Sequence, residues 1–274
     1  MLAVVLGLLS GLSWGVADFF GGVASRRAEV LAVVVGSQVV GLLLILTIVA
    51  IARPDVPPAR ELGLAAASGV VGLIGLAAFY RAMAIGTISL IAPISALGAV
   101  VPIAVDLIAG RIPGTLALVG MIIALAGACL AARAPGPASR RGIGLAVVAA
   151  LGFGGFFSLL AAGSGGSPIW AIVAARGTSV PIGLIVLLAA GTSLAMSRRT
   201  LLFVVCSGCL DVCANLLFAA GSQRGAVSVV AVLGSLYPVT TVVLAGTVLH
   251  ERLGRLQAAG AGVALGGVIL IAAG

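Results

Sequence analysis

Apolar stretches about as long as a bilayer is thick follow one another from end to end of the chain, broken only by short polar or Pro/Gly-rich punctuation. A membrane-spanning helix needs about 20 apolar residues. Ten spans are predicted: Leu2–Val23, Val30–Ala52, Leu62–Tyr80, Thr87–Ile108, Thr115–Ala132, Ile143–Ala162, Ile169–Ala190, Leu201–Gly221, Ala226–Leu249 and Leu256–Ala273. The breaks have physical causes. Arg53-Pro54-Asp55 with Pro57-Pro58 cannot continue a helix. Ala134-Pro135-Gly136-Pro137 ends the fifth span, and Arg140-Arg141 holds the next residues outside the hydrocarbon. The uncharged run Gly142–Ala175 is too long for one helix, and Gly163-Ser164-Gly165-Gly166-Ser167-Pro168 divides it in two. The predicted fold class is an all-α polytopic membrane protein.

An internal repeat underlies the ten spans. A shift of about 139 residues lays Leu12-Ser13-Trp14-Gly15 on Leu151-Gly152-Phe153-Gly154, Phe79 on Phe218, Gly86 on Gly225 and Gly127 on Gly266. Residues 1–134 and 142–274 then form two five-helix units, with 135–141 as a short linker. Five is odd, so the second unit enters the membrane in the opposite sense. Inverted-topology repeats place a binding site near mid-membrane between the halves. Alternating access uses that arrangement, whereas a structural or regulatory membrane protein has no need of it.

Composition sharpens the picture. Of 274 residues, 62% are hydrophobic and 8% charged, which leaves no room for a soluble domain. All 15 basic residues are Arg against 7 acidic ones, for a net charge of +8. The Arg residues stand singly or in pairs between apolar stretches, a pattern of topology signals and lipid contacts and not of nucleic-acid binding. Let side A be the face where the first span begins. Side B connections carry Arg26, Arg27, Arg81, Arg133, Arg140, Arg141, Arg198, Arg199, Arg252 and Arg255; side A carries Arg53, Arg60, Arg111 and Arg224. The positive-inside rule therefore puts side B in the cytoplasm. The expected location is a plasma membrane, in a bacterium.

Charges inside a span mark function by default. At about 1.5 Å per residue, Arg176 lies about 10–12 Å from side A and Asp211 about 15 Å from side B, so both sit near mid-depth. Consecutive antiparallel helices are usually neighbours, and the two are expected to pair, directly or through water. One reading is a substrate site in which Arg176 attracts an anion and Asp211 titrates; the other is a structural ion pair. Asn215 shares the Asp211 face, four residues on, and serves either a substrate or a neighbouring helix. Asp18, about 24 Å from side A, shares a face with Trp14 and Gly11. Trp14 is a candidate wall of the substrate path and Asp18 a candidate gate or proton carrier near side B; the other reading is an interfacial Trp with a solvated Asp that meets Arg26 or Arg27. Asp106, beside Arg111, reads as a solvated or paired surface acid. Tyr237-Pro238 in the ninth span and Pro93 and Pro102 in the fourth are candidate flexing points, because proline leaves a carbonyl without its donor. Glu251 ends the ninth span and is a candidate gate.

Other signals resolve to packing. Gly7, Gly11 and Gly15 permit close helix approach, within the chain or in a homodimer. Cys129, Cys206, Cys209 and Cys213 fall in apolar runs and read as buried free thiols. His250 is the only His, so neither a metal cluster nor a Ser–His triad assembles around Ser164. No cofactor is expected, and a membrane-embedded enzyme is disfavoured.

Several of these features together resemble a known family. They are Trp14-Gly15, the run Phe79-Tyr80-Arg81-Ala82-Met83-Ala84-Ile85-Gly86 leading into Ile91-Ala92-Pro93, Leu236-Tyr237-Pro238-Val239, and Leu249-His250-Glu251-Arg252. Their order over the duplicated unit is similar to the ten-helix EamA-type members of the drug/metabolite transporter superfamily. The resemblance implies secondary transport, often export, of small metabolites or amphipathic compounds, with both termini inside. The charge count points the termini outward. Where the family usually carries an acid at the end of the fourth span, this chain has Gly110-Arg111-Ile112-Pro113; Glu251 keeps it in the ninth.

Overall fold

A computed structural model describes residues 1–85, 94–131, 142–248 and 254–274. Among these residues the chain is helical, with no strand. The elements are α1 (Leu2–Ser25), α2 (Val30–Ala52), α3 (Ala59–Ile85), α4 (Val100–Ile108), α5 (Thr115–Ala131), α6 (Ile143–Gly163), α7 (Pro168–Ala189), α8 (Arg198–Ser222), α9 (Val227–Gly234), α10 (Tyr237–Val248) and α11 (Arg255–Ala273). Among the described residues, seven helices are long and apolar enough to cross a membrane, and Ile94–Ile108, Thr115–Ala131 and Val227–Thr241 are shorter apolar helices. The most apolar window of α2 is only 17% buried by protein. A helix apolar all round yet so little covered needs lipid on its outer side.

The halves pack by exchange. α1 lies chiefly on α8, its counterpart α6 lies on α3, and the last helices of the two halves, α5 and α11, lie against each other. Small residues set these approaches. A Cβ on Gly15 would meet the Tyr237 carbonyl at 2.7 Å and Thr240 at 2.4 Å. Gly154, the equivalent of Gly15 under the 139-residue shift, meets the Gly98 carbonyl at 2.3 Å and Val101 at 2.5 Å. Gly98 and Val101 are in turn the equivalents of Tyr237 and Thr240. Aromatic contacts repeat likewise. Trp14 packs on Phe218 with centroids 5.9 Å apart, and their equivalents Phe153 and Phe79 pack at 5.7 Å.

The fourth and ninth spans are both interrupted at matched positions. A 3-10 turn at Leu97–Ala99 precedes α4, and Ser235–Leu236 forms a turn between α9 and α10. Pro238 is therefore the second residue of a helix, where a missing N–H costs little, and does not bend a continuous one. Pro102 likewise sits in the first turn of α4. Pro93 and Glu251, with His250, lie outside the described residues.

The α1 glycine stripe is used inside the chain: Gly7 and Gly11 face Leu233, and Gly15 faces α10. It gives no argument for a homodimer. The four cysteines are free, but the expectation of burial fails: Cys206 and Cys213 are exposed, Cys129 and Cys209 half-buried. In lipid an apolar thiol gains nothing by burial against protein.

A tight small-residue contact joins α5 to α11, where a Cβ on Gly127 would lie 2.2 Å from the Ala264 nitrogen. Gly127→Ala should cost about 1–3 kcal/mol by overpacking. Gly262→Ala, whose Cβ meets nothing within 4 Å, should be neutral or stabilising by up to about 1 kcal/mol. Thermal melting of the purified variants in detergent checks both.

Candidate functional site

Arg176 is the buried charge of α7, with 10% of its side chain exposed. A guanidinium at that depth must have its charge and donors satisfied by protein. One Nη donates to the Gln38 side-chain oxygen from α2. The other donates to the Asp211 carboxylate from α8, forming an ion pair. Ser179, one turn on from Arg176, donates its hydroxyl to the same Gln38 oxygen at 3.1 Å. Asn215 donates its amide to the Asp211 backbone carbonyl at 2.6 Å and to its carboxylate at 3.2 Å. Asn215 thus braces Asp211 from its own helix.

The pairing of Arg176 with Asp211 is as expected, but its route is different. α7 and α8 are consecutive yet touch little; α2 lies against both. The α2–α8 contact is close because Gly208 meets the Ser37 carbonyl, where a Cβ would stand at 2.4 Å, and Gly41 meets Val212 at 2.9 Å. Gln38 was missed by charge-based reading. Its signal was an amide in an otherwise apolar second span, a group that must find a partner in hydrocarbon. Pro181 was missed as well. It lies inside α7 and removes the donor for the Gly177 carbonyl, one residue after Arg176.

Asp18 was expected near the side B edge. α1 continues seven residues beyond it, to Ser25. The antiparallel register of α1 on α8 is fixed by Ser10, whose hydroxyl donates to the Ala214 carbonyl at 2.9 Å, and by Gly21 beside Ser207. That register sets Asp18 within a turn of the level of Asp211, and the two carboxylates are close enough for their charges to interact. Asp18 is exposed, on the helix face that carries Gly11 and Trp14 toward the neighbouring helices. Trp14, one turn earlier, packs on Phe157 at 5.5 Å and on Phe218. Tyr237 lies a helix away, its carbonyl against Gly15 and accepting from the Thr241 hydroxyl at 3.0 Å.

Asp106 pairs with Arg111 as one of the two readings expected, but it is buried and not a surface acid. It is 0% exposed, pairs with Arg111 at 2.9 Å and accepts the Ser228 backbone N–H at 2.8 Å. A carboxylate at the first turn of α9 favours that helix start. Two hollows lie apart from the Arg176 cluster. One of about 300 Å³ is bounded by Arg111, Ser158, Ser222 and Gln223; an apolar crevice of about 260 Å³ runs along Leu12, Leu236 and Val268.

Removing one partner of a buried pair leaves the other charge uncompensated. Asp211 keeps 33% of its side chain exposed, so the cost is below that of a fully dry pair. Arg176→Ala should lower stability by about 1–3 kcal/mol, and adding Asp211→Asn should recover part of the loss. A double-mutant thermal-melting cycle measures that coupling.

Comparison with known proteins agrees with this architecture. A solved structure described as "Crystal structure of protein" superposes with a TM-score of 0.80 at 16% identity, covering 98% of this chain and 95% of the other. At that identity the likeness concerns the fold. No curated protein matches the chain. The model of the EamA-like transporter family matches twice, over residues 1–133 and 140–273. The chain, a multi-pass membrane protein of two repeated units, belongs to the EamA-like transporter family.

Proposed function

We propose that the protein is a secondary transporter working by alternating access, with its substrate bound at mid-depth among α1, α2, α7 and α8. The observation that carries this reading is the charged cluster of Arg176, Gln38, Asp211 and Asn215 beside the solvent-accessible Asp18. Ionisable groups at such depth are costly and face a path or a cavity. Trp14 and Tyr237 bound the same region from α1 and α10.

An asymmetry between the two faces supports inverted repeats caught in one state. On side A, Gln223 at the end of α8 donates to Ser164 at 2.8 Å and to the Ala161 carbonyl at 3.1 Å at the end of α6. The equivalent of Ala161 is Gly22, near the side B end of α1, where an added Cβ would meet nothing within 4 Å. The ends of α6 and α8, both of the second half, are thus tied on side A, and the matched position of α1 on side B is open. The matched interruptions before α4 and between α9 and α10 are the proposed flexing points, with Pro102 and Pro238 beside them. Coupling uses a proton carried by Asp211 or Asp18, with Glu251 as a gate. The proposed cargo is a small amphipathic metabolite, and export from a bacterial cytoplasm is the direction the resemblance implies. The enzyme reading is weaker, since the Ser164 hydroxyl donates to Ala161 and accepts from Gln223.

Proteoliposomes with an imposed pH gradient test the proposal. At least one amphipathic metabolite from a library should cross, the flux should collapse with a protonophore, and folded Asp211→Asn protein should lose the driven component. Folded wild-type protein that moves none of the library would contradict it.

A further inference from the structure

Among the described residues the charges at this level do not cancel, and we infer that Asp18 makes the site selective for a cationic substrate, an ammonium group being the recognised feature. This inference rests on the transport reading above. At this level stand Asp18 and Trp14 from α1, Gln38 from α2, Arg176 and Ser179 from α7, and Asp211 with Asn215 from α8. They hold one cation and two carboxylates. Arg176 is committed: its two terminal nitrogens serve Gln38 and Asp211, and little of it is exposed. An entering anion would have to displace Asp211 from that guanidinium while standing beside two carboxylates, which like-charge repulsion opposes.

Asp18 is in the opposite condition. Among the described residues it forms no hydrogen bond or ion pair, and it is exposed. Its direction is fixed by its helical neighbours. Trp14, four residues before, points into Phe157 and Phe218, and Gly21, three residues after, rests against Ser207 of α8. A residue between two inward-facing positions on one helical face points inward with them. An ammonium placed there gains a charge-assisted hydrogen bond from Asp18 and lies one turn from the Trp14 ring, a surface that attracts cations. The repeat shows that this feature belongs to one half only. The equivalent of Asp18 is Phe157, and that of Asp211 is Gly72, which packs on Phe156.

The test uses one carbon skeleton with three charges: benzylamine, benzyl alcohol and benzoate. Binding to the full-length protein in detergent is followed by thermal shift, with intrinsic tryptophan fluorescence as a second readout. Wild type should bind benzylamine about 10- to 100-fold more tightly than benzyl alcohol, the range a charge-assisted hydrogen bond confers, and benzoate weakest. Asp18→Asn, near-isosteric and checked for folding by size exclusion, should erase that order. Asp18→Glu should keep it. Benzoate or benzyl alcohol binding as tightly as benzylamine, no saturable benzylamine binding, or an order unchanged in Asp18→Asn would overturn the inference. Binding order and flux are read separately. A lost order with flux intact removes this inference alone; a charge order without any flux removes the transport reading and leaves Asp18 as the cation-selective group.

Discussion

The Arg176 guanidinium is the constraint around which the middle of the molecule is arranged. A charge on a helix surrounded by lipid must be answered within the protein. Three helices supply the answer, Gln38 from α2 and Asp211 from α8 meeting Arg176 of α7. The backbone of α2 can reach both neighbours only because Gly41 and Gly208 allow close approach. The polar cluster and the glycine contacts are therefore one device. Asn215 and Ser179 complete it by directing Asp211 and Gln38. What is left over is Asp18, a carboxylate beside a closed set of partners.

Around that centre the chain is held by a packing scheme that repeats between halves. The first helix of each half lies on the third helix of the other, and the last helices lie together. Matched residues make matched contacts, Gly15 on Tyr237 and Thr240, Gly154 on Gly98 and Val101. Interfaces built from backbone approach and van der Waals contact suit membranes, where burial of apolar groups gives no drive between helices. They also leave the two faces free to differ. Side A carries cross-half ties through Glu61 and Trp170: the Glu61 carboxylate accepts the Gly166 N–H at 2.6 Å, and the Trp170 ring nitrogen donates to the Pro54 carbonyl at 3.0 Å; Gln223 joins α8 to α6 within the second half.

Much of this was legible in the sequence. Span length, breaks and duplication follow from apolar runs, Pro/Gly punctuation and a constant offset, because bilayer thickness imposes helix length. The Arg176–Asp211 pair was legible from depth alone, since two opposite charges at one level in hydrocarbon seek each other. The intervening helix was not. Sequence order suggested that α7 and α8 touch, whereas the exchange of helices between halves puts α2 there, and that exchange is set by glycines scattered over the whole chain. Gln38 was overlooked because a neutral amide draws less attention than a charge. That Asp18 stands within a turn of Asp211 was not legible, since it depends on the register of α1 on α8, which Ser10 and Gly21 set. Pro238 was misread as a mid-helix kink because a turn at Ser235–Leu236 leaves no trace in hydrophobicity.

α6 packs on α3 and α8 on α1, so alternating access by these exchanged pairs requires the side A tie between α8 and α6 to open in every cycle. The direct measurement is flux through protein whose four native cysteines are replaced and which carries Ser164→Cys and Gln223→Cys, joined by a short cleavable thiol cross-linker. The account predicts that cross-linking stops flux in proteoliposomes and that reductive cleavage restores it. Full flux with the cross-link intact would contradict it.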